Sequence, residues 1–208
     1  NGSFDIDFVA TSDTIEEANI EISGGKFTSE VNKAHCAAGY TPFTFDAKEY
    51  GVTQIKNTAK IGETEYATLE EAVAAVPADG TETTVTLLSD ATGNGIIVNE
   101  GQNIIIDFGG FTYFADGNQV GSEGTKTLSF QLLKGATVTL KNGTLSSTKT
   151  KMLVQNYADL TLEDIILDGT KSNVNQYTLS NNFGDTVIRG TTEILGDEDT
   201  VAFDMWYG

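Results

Sequence analysis

The sequence predicts an all-β chain whose main domain is a parallel β-helix, a solenoid in which short strands stack in successive rungs. Five apolar positions recur three times with the same gaps of two, six, two and five residues. The copies are Ile96, Val98, Ile104, Ile106 and Phe111; Phe130, Leu132, Val138, Leu140 and Leu145; and Met152, Val154, Leu160, Leu162 and Leu167. Side chains two residues apart lie on one face of a strand, and repetition at such a period is typical of solenoids.

The segments between these strands contain the residues that corners need, since Gly and Asn let the backbone turn sharply. They include Asn99, Gly101, Gly109, Gly110, Gly135, Asn142, Gly143 and Asn156. Runs such as 137–140 are rich in β-branched residues, which favour strands. A β-sandwich is the alternative, because short strands with frequent turns fit it too. It does not explain three copies with one spacing.

Less regular copies follow toward the C-terminus. A fourth copy fits if each corner is one residue longer; it consists of Tyr177, Leu179, Thr186, Ile188 and Ile194. Val201 and Phe203 begin a fifth copy, which the chain does not complete by Gly208. We therefore expect a β-helix domain at residues 58–208 that is truncated at its C-terminal end.

A helix is predicted at residues 68–76, immediately before the solenoid. Thr68 and Glu71 match a capping box at the start of a helix, and Pro77 ends it. Leu69, Ala72, Val73 and Val76 form its apolar face. We expect this helix to cap the N-terminal end of the stack, where open strand edges would otherwise recruit other chains.

Residues 1–57 are predicted to be the tail of an upstream module. Ile20, Ile22 and Phe27 repeat the two-and-five spacing and predict its last rung. A short helix at 29–38 and strands around 41–45 and 51–55 are expected to follow. The chain opens at Asn1 in the middle of a pattern, so we interpret it as a fragment of a longer protein.

Several segments resemble modules of large surface proteins from gut Gram-positive bacteria. They are residues 22–27, 37–40, 61–72 and 85–90. The repeats after them resemble the right-handed parallel β-helix of the pectin lyase-like superfamily, and the resemblance covers most of the chain. It implies a right-handed coil and an extracellular parent protein attached to the cell wall. Its motifs are structural, so it implies little about activity.

The charge of the chain excludes two classes of partner. Thirty acidic residues against 12 basic ones give a formal net charge of −18. Such a surface repels nucleic acid and anionic lipid. No apolar run approaches the roughly 20 residues that a membrane-spanning helix needs. Cys36 has no cysteine partner, and we interpret it as a small buried residue.

Catalysis is not predicted from the acidic residues. The lyases of the resembling superfamily use calcium and an Arg or Lys that removes a proton, but Arg189 is the only arginine. The motifs of its hydrolases are absent, and the one histidine, His35, lies outside the rungs. Glu163 and Asp164 are neighbours, whereas a glycosidase needs two carboxylates that face each other across a sugar. The remaining acidic candidates are Asp168, which is close to that pair, and Asp197, Glu198 and Asp199, for which calcium binding stays open.

The chain is therefore predicted to be a non-catalytic surface module for adhesion or for recognition of a glycan or host glycoprotein, without metal or cofactor. The alternatives are a divergent polysaccharide lyase or glycoside hydrolase fragment and a purely structural spacer. Tyr113 and Trp206 are the ligand-binding candidates, because aromatic rings near corners and ends can stack on sugars. Tyr113 alternates with Phe114 on its strand, which makes it the candidate for an exposed platform. The uncovered ends of the stack predict end-to-end or edge-to-edge self-association.

Overall fold

The computed structural model describes residues 21–46, 49–122 and 124–206, with the side chains of 45 and 46 excepted. About 50% of the chain is strand and 7% is helix, so the protein is nearly all β. The chain divides into two compact units, residues 1–56 and 57–208. This division lies one residue before the boundary that the sequence predicts.

The described part of the first unit contains a three-stranded antiparallel sheet. Its strands are β1 (Lys26–Phe27), β2 (Tyr40–Asp46) and β3 (Glu49–Gln54), in the order β1-β3-β2. The two strands predicted around 41–45 and 51–55 are confirmed. Phe27 pairs antiparallel with Tyr50, so the expectation that it closes a parallel rung is wrong. Ile20 lies outside the described residues.

The helix predicted at 29–38 is also wrong, because only a 3₁₀ turn forms, at Lys33–His35. Asn32 caps this turn by accepting a hydrogen bond from the Ala34 N–H at 2.9 Å. Cys36 is already extended, and it forms a parallel bridge with Ile22. A helix of this length is marginal on its own, and the bridge draws the chain into an extended conformation instead.

The second unit opens with a hairpin and a helix. Strands β4 (Ala59–Ile61) and β5 (Thr64–Tyr66) are antiparallel, and helix α1 spans Leu69–Ala74. The Thr68 hydroxyl accepts from the Glu71 N–H at 3.1 Å, as the capping-box pattern predicts. The helix is shorter than the predicted 68–76, and its apolar face is buried at Leu69, Ala72 and Val73.

Gln102 connects the end of α1 to the solenoid. Its side-chain Nε2 donates to the Val73 and Val76 carbonyls at 3.0 and 2.9 Å. Its Oε1 accepts from the Asn99 N–H at 2.7 Å. The side chain is buried. It is the partner of the Val76 carbonyl at the end of the helix and adds a second hydrogen bond to the Val73 carbonyl, which also accepts from the Val76 N–H at 3.2 Å.

The rest of the unit is a parallel β-solenoid of about five turns. The strands in chain order are β6 (Glu82–Leu87), β7 (Ala91–Thr92), β8 (Ile96–Val98), β9 (Asn103–Asp107), β10 (Thr112–Phe114), β11 (Leu128–Leu132), β12 (Thr137–Ser146), β13 (Met152–Asn156), β14 (Asp159–Asp168), β15 (Tyr177–Asn182), β16 (Asp185–Arg189), β17 (Glu193–Leu195) and β18 (Val201–Trp206). The predicted parallel β-helix is confirmed, and the β-sandwich alternative is wrong. Right-handedness stays a prediction.

The strands stack on three faces. The first face consists of β8, β11, β13, β15 and β18. The second consists of β6, β9, the first halves of β12 and β14, and β16. The third consists of β7, β10, the second halves of β12 and β14, and β17. The apolar core lies between the faces and continues to the buried face of α1.

On the second face the predicted register is confirmed. Ile104, Val138 and Leu160 are successive partners, and so are Ile106, Leu140 and Leu162. The fourth copy also aligns as predicted on this face, since Thr186 pairs with Leu160. The fifth copy aligns as predicted on the first face, where Phe203 pairs with Leu179.

On the first face the predicted register is wrong by two residues between the second and third copies. Phe130 pairs with Val154, and Leu132 pairs with Asn156. The corner that follows Asn156 is two residues shorter than the corner that follows Leu132, because Leu160 still pairs with Val138. A register that follows apolar residues alone therefore slips, because the inward position is occupied by an asparagine.

Asn156 and Asn181 are stacked inside the coil and close this corner in successive rungs. Asn156 is fully buried, and its Nδ2 donates to Asn181 Oδ1 at 2.7 Å and to the Ala158 carbonyl at 3.1 Å. Its Oδ1 accepts from the Ala158 N–H at 2.9 Å. Asn181 in turn donates to the Gly184 carbonyl at 2.6 Å. Hydrogen bonds to the backbone make these buried amides compatible with the core.

On the third face the partner of Leu145 is Tyr113, not the predicted Phe111. The corner between β9 and β10 is occupied by residues 108–111, and Phe108 is fully buried there. Phe111 is only partly buried against the core. The inward position of the third strand thus passes to Tyr113.

The last rung leaves apolar side chains exposed. Ile188 has the register of a core residue, yet it is 46% exposed, since β18 continues the stack only on the first face. Met205 and Trp206 on β18 are 52% and 62% exposed.

Candidate functional site

The connections from the third face to the first face of the next rung form a stacked series, which we call the loop edge. Its described residues are 93–95, 115–122, 124–127, 147–151, 169–176 and 196–200. Hydroxyl groups connect one loop to its neighbour. Thr150 Oγ1 donates to the Thr127 carbonyl at 2.9 Å, and Ser172 Oγ donates to the Thr150 carbonyl at 2.8 Å. These loops are therefore held by the regular rungs beneath them and by one another.

The loop at 115–127 is the longest of the series, and its first part is anchored on both sides. On one side, Asn94 Oδ1 accepts from the Asn118 N–H at 2.8 Å. On the other side, Asp116 accepts from Ser147 Oγ at 3.0 Å and from the Thr148 N–H at 2.7 Å. Polar side chains at the surface are in this way fixed to the solenoid.

Gly117 is required at the start of this loop because of close packing. A Cβ at this position would lie 2.5 Å from Asn94 Oδ1 and 2.9 Å from the Gly93 carbonyl oxygen. The Gly117 N–H donates to that same carbonyl at 2.7 Å. Only glycine allows such an approach of two backbones.

An open pocket of about 470 Å³ lies beside this anchored segment. Its lining consists of Gly117, Asn118, Gln119, Lys126 and Lys149. Gln119 Nε2 donates to the Lys149 carbonyl at 2.6 Å, and Lys149 Nζ donates to the Asp116 carbonyl at 2.6 Å. The side chains offer amide and ammonium groups, which are the donors that bind hydroxyl and acidic oxygens.

Sequence reasoning missed this pocket. The signal was present in the long polar, glycine-rich segment at 115–124. Lys126 and Lys149 also each precede a first-face strand by two or three residues in successive rungs. Only the stacking of these rungs shows that the two lysines share one pocket.

Tyr113, predicted as an exposed platform, is 1% exposed, so that prediction is wrong. Its hydroxyl donates to the Asn94 carbonyl at 2.7 Å, and its ring meets Phe130 edge-on with 6.1 Å between centroids. Burial, and then the negative charge of Glu70, raise the pKa of Tyr113 well above its usual range. Tyr113 supports the pocket indirectly. Its hydroxyl is bonded to the Asn94 carbonyl, and the Asn94 side chain in turn accepts from the N–H of Asn118 in the pocket lining.

Trp206, the second aromatic candidate, is exposed at the end of β18. The pocket lies near β11, and β18 is three strands further along the first face. At the usual strand spacing this is about 14 Å. Trp206 and the pocket thus do not form one site, and a ligand-binding role of Trp206 stays a prediction.

The acidic residues around Glu163 have structural contacts. Asp164 has a left-handed backbone with φ 51° at the corner within β14, and its Oδ1 accepts from the Thr191 N–H at 2.8 Å. That hydrogen bond lowers the pKa of Asp164. Asp168 accepts from the Thr170 N–H at 3.0 Å and pairs with Lys171 at 3.6 Å. Arg189 is the register neighbour of Glu163 in the next rung.

Asp197 likewise organises its own loop. Its Oδ1 accepts from Thr200 Oγ1 at 2.7 Å and from the Asp199 N–H at 3.1 Å. These bonds, the one from Thr200 first, lower the pKa of Asp197. In the described part of the chain no group of three His, Cys, Asp or Glu side chains is placed to hold a metal ion. Calcium binding by residues 197–199 stays an open prediction.

Cys36 is a half-buried free thiol in the first unit, next to His35. Within the described residues, no helix combines the length and the apolar character needed to cross a membrane. Comparisons with protein-family models, with curated proteins and with solved structures each gave no match.

Proposed function

We propose that this chain is a non-catalytic module of a bacterial cell-surface protein, and that it recognises a glycan or a host glycoprotein. The observation that carries the proposal is the pocket at the loop edge. It is formed by polar donors whose positions are set by hydrogen bonds to neighbouring rungs. Ligand sites typically combine such a preformed cavity with a few polar groups that fix orientation.

The proposed parent is an extracellular, cell-wall-attached protein with a right-handed, pectin lyase-like coil. Support for the capping role of α1 comes from its burial, since Leu69, Ala72 and Val73 belong to the same core cluster as Val85 and Leu87 of β6. A helix in this position protects a strand edge from other chains.

The acidic residues support a binding role over a lyase or hydrolase role. A general acid in a glycosidase needs a raised pKa, whereas the hydrogen bond from Thr191 lowers that of Asp164. Asp168 is engaged by Thr170 and Lys171. Asp164 and Asp168 of β14 thus stabilise corners of the coil.

A glycan array and a host-protein pull-down with the full chain test this proposal, alongside turnover assays on neutral and acidic polysaccharides. The variant Gln119→Trp fills the pocket, and loss of ligand binding in this variant supports the proposal. Gly117 is left unchanged, because the close approach of its backbone to Gly93 tolerates no side chain. The control is Gln155→Trp on the first face. Turnover that disappears in Asp164→Asn or Arg189→Gln would instead show an enzyme, and the absence of any ligand would favour a spacer.

We further propose that the exposed last rung mediates contacts between copies of the chain. Within the described residues β18 is an edge strand, and the side chains of Ile188, Met205 and Trp206 are exposed. A stacked strand and its apolar face are stable only against a neighbour. A second copy that packs on β18 would supply one.

A further inference from the structure

We propose that the pocket at the loop edge binds an anionic sugar, through a carboxylate or sulfate group seated between Lys126 and Lys149. This inference rests on the proposed glycan-binding function and specifies the ligand for it. It follows from the placement of two cations in the pocket and from the contacts that hold Lys149.

The charged side chains that line the pocket are basic, whereas the chain as a whole is acidic. The chain has only 12 basic residues against 30 acidic ones, yet two of them line one pocket. Among the described residues the ion pairs involve Lys141 and Lys171, and neither Lys126 nor Lys149 has a carboxylate within 4.0 Å. Two like charges that share a pocket repel each other, and a bound anion relieves this repulsion.

Asp116, the acidic residue that contacts Lys149, forms no ion pair with it. The Asp116 carboxylate is occupied by donors of the next loop: Ser147 Oγ and the Thr148 N–H on Oδ1, and Thr148 Oγ1 on Oδ2 at 3.0 Å. Lys149 contacts Asp116 only through the backbone carbonyl. The ammonium group therefore forms no direct ion pair with Asp116 and keeps two of its three donors for a ligand.

Apart from Lys126, the polar groups of the pocket are already held by hydrogen bonds. Lys149 is held at both ends. Its backbone carbonyl accepts from Gln119 Nε2, and its side-chain Nζ donates to the Asp116 carbonyl, both at 2.6 Å. Asn118 is held by Asn94. Because these groups are already fixed, binding costs little ordering of side chains. The amides beside the lysines suit sugar hydroxyls, which distinguishes this pocket from a bare cation pair.

The net charge of the chain and the lysine side chains of the pocket restrict the kind of anion that binds. A formal charge of −18 repels a long polyanion, but a single acidic group on a short or otherwise neutral glycan escapes most of that repulsion. Lysine acts as a point charge and lacks the planar fork of arginine, so it suits carboxylate and sulfate esters equally. A volume of about 470 Å³ is ample for a sugar residue.

The test is titration calorimetry of the full chain with three soluble probes: a sialylated lactose, a sulfated lactose and lactose itself. We expect the acidic probes to bind at least tenfold more tightly than lactose, with an affinity that falls as salt is raised. Lys126→Gln should weaken the acidic probes about tenfold and leave lactose unchanged. Lys134→Gln, an exposed lysine at a different corner, removes the same charge and should change nothing.

The two acidic probes distinguish a carboxylate from a sulfate ligand, and free sulfate as competitor shows whether the sugar contributes. Lys149→Gln is the second variant, and unchanged thermal unfolding of both variants shows that the loop is intact. Equal affinity for lactose and the acidic probes, or an equal loss in Lys126→Gln and Lys134→Gln, would overturn the inference while glycan binding stands. No binding of any glycan would overturn both.

Discussion

Replacement of Asn156 by alanine tests the register of the first face and the buried asparagine pair together. In the structure the side chain is fully buried and provides the partner of the Ala158 N–H. An unsatisfied buried donor costs about 1–3 kcal/mol, and each further net hydrogen bond contributes about 1 kcal/mol. Asn156→Ala removes the hydrogen bond to Asn181 and leaves the buried Ala158 N–H without its partner. Together these losses lower the free energy of unfolding by about 3 kcal/mol.

Urea unfolding of the full chain, followed by circular dichroism, measures this loss. With a slope near 3 kcal/mol per molar urea, the midpoint should fall by about 1 M. The matched control is Asn99→Ala, since Asn99 is an exposed corner residue whose side chain makes no hydrogen bond among the described residues. Its effect should stay within about 0.5 kcal/mol, as for other surface changes.

The alternative register gives a different result. If Val154 instead of Asn156 were stacked on Leu132, Asn156 would be a corner residue at the surface like Asn99. Both variants would then lower stability equally and slightly. Equal midpoints for Asn156→Ala and Asn99→Ala, at an unchanged slope, would refute the observed register.

Three further predictions concern other parts of the second unit. The raised pKa of Tyr113 means that the folded state keeps a proton which the unfolded state releases above about pH 10; stability should therefore fall with rising pH by about 1.4 kcal/mol per unit, and urea unfolding at pH 9, 10 and 11 should show this loss in wild type but not in Tyr113→Phe. Gln102→Ala removes the hydrogen-bond partner of the Val76 carbonyl and of the Asn99 N–H and should cost about 2–4 kcal/mol, whereas a change below about 0.5 kcal/mol would show that α1 does not depend on it. Light scattering over a concentration series should show association of the chain that Trp206→Lys abolishes, and a wild-type chain that stays monomeric at high concentration would contradict the end contact.

Much of the fold was predictable because it depends on local patterns. Apolar residues two apart on successive strands predicted the parallel stack, and the second face kept that register, since Ile104, Val138 and Leu160 all lie inward. The capping-box pattern at Thr68 predicted the start of α1. In these segments a strand or helix period and a turn signal agree.

The site was not predictable in the same way. The repeat spacing leaves Tyr113 as a candidate for the surface, whereas the structure buries it, because the corner before β10 is two residues longer and shifts the inward position of the third strand. Residue spacing alone does not show that Phe108 fills this corner. Lys126 and Lys149 are 23 residues apart in the chain. They line one pocket only because their rungs are adjacent.

The sequence by itself determined that the chain is nearly all β, that its main part is a parallel solenoid and that its surface is strongly acidic. Strand periodicity, corner residues and charge are properties of short segments, so they can be recognised without coordinates. Only the tertiary structure decided that Asn156 lies inside the coil, that Tyr113 is buried and that two lysines meet beside Gln119. The physical reason is that a buried polar group is stable only with its hydrogen-bond partners, and these partners come from neighbouring rungs that are distant in the sequence.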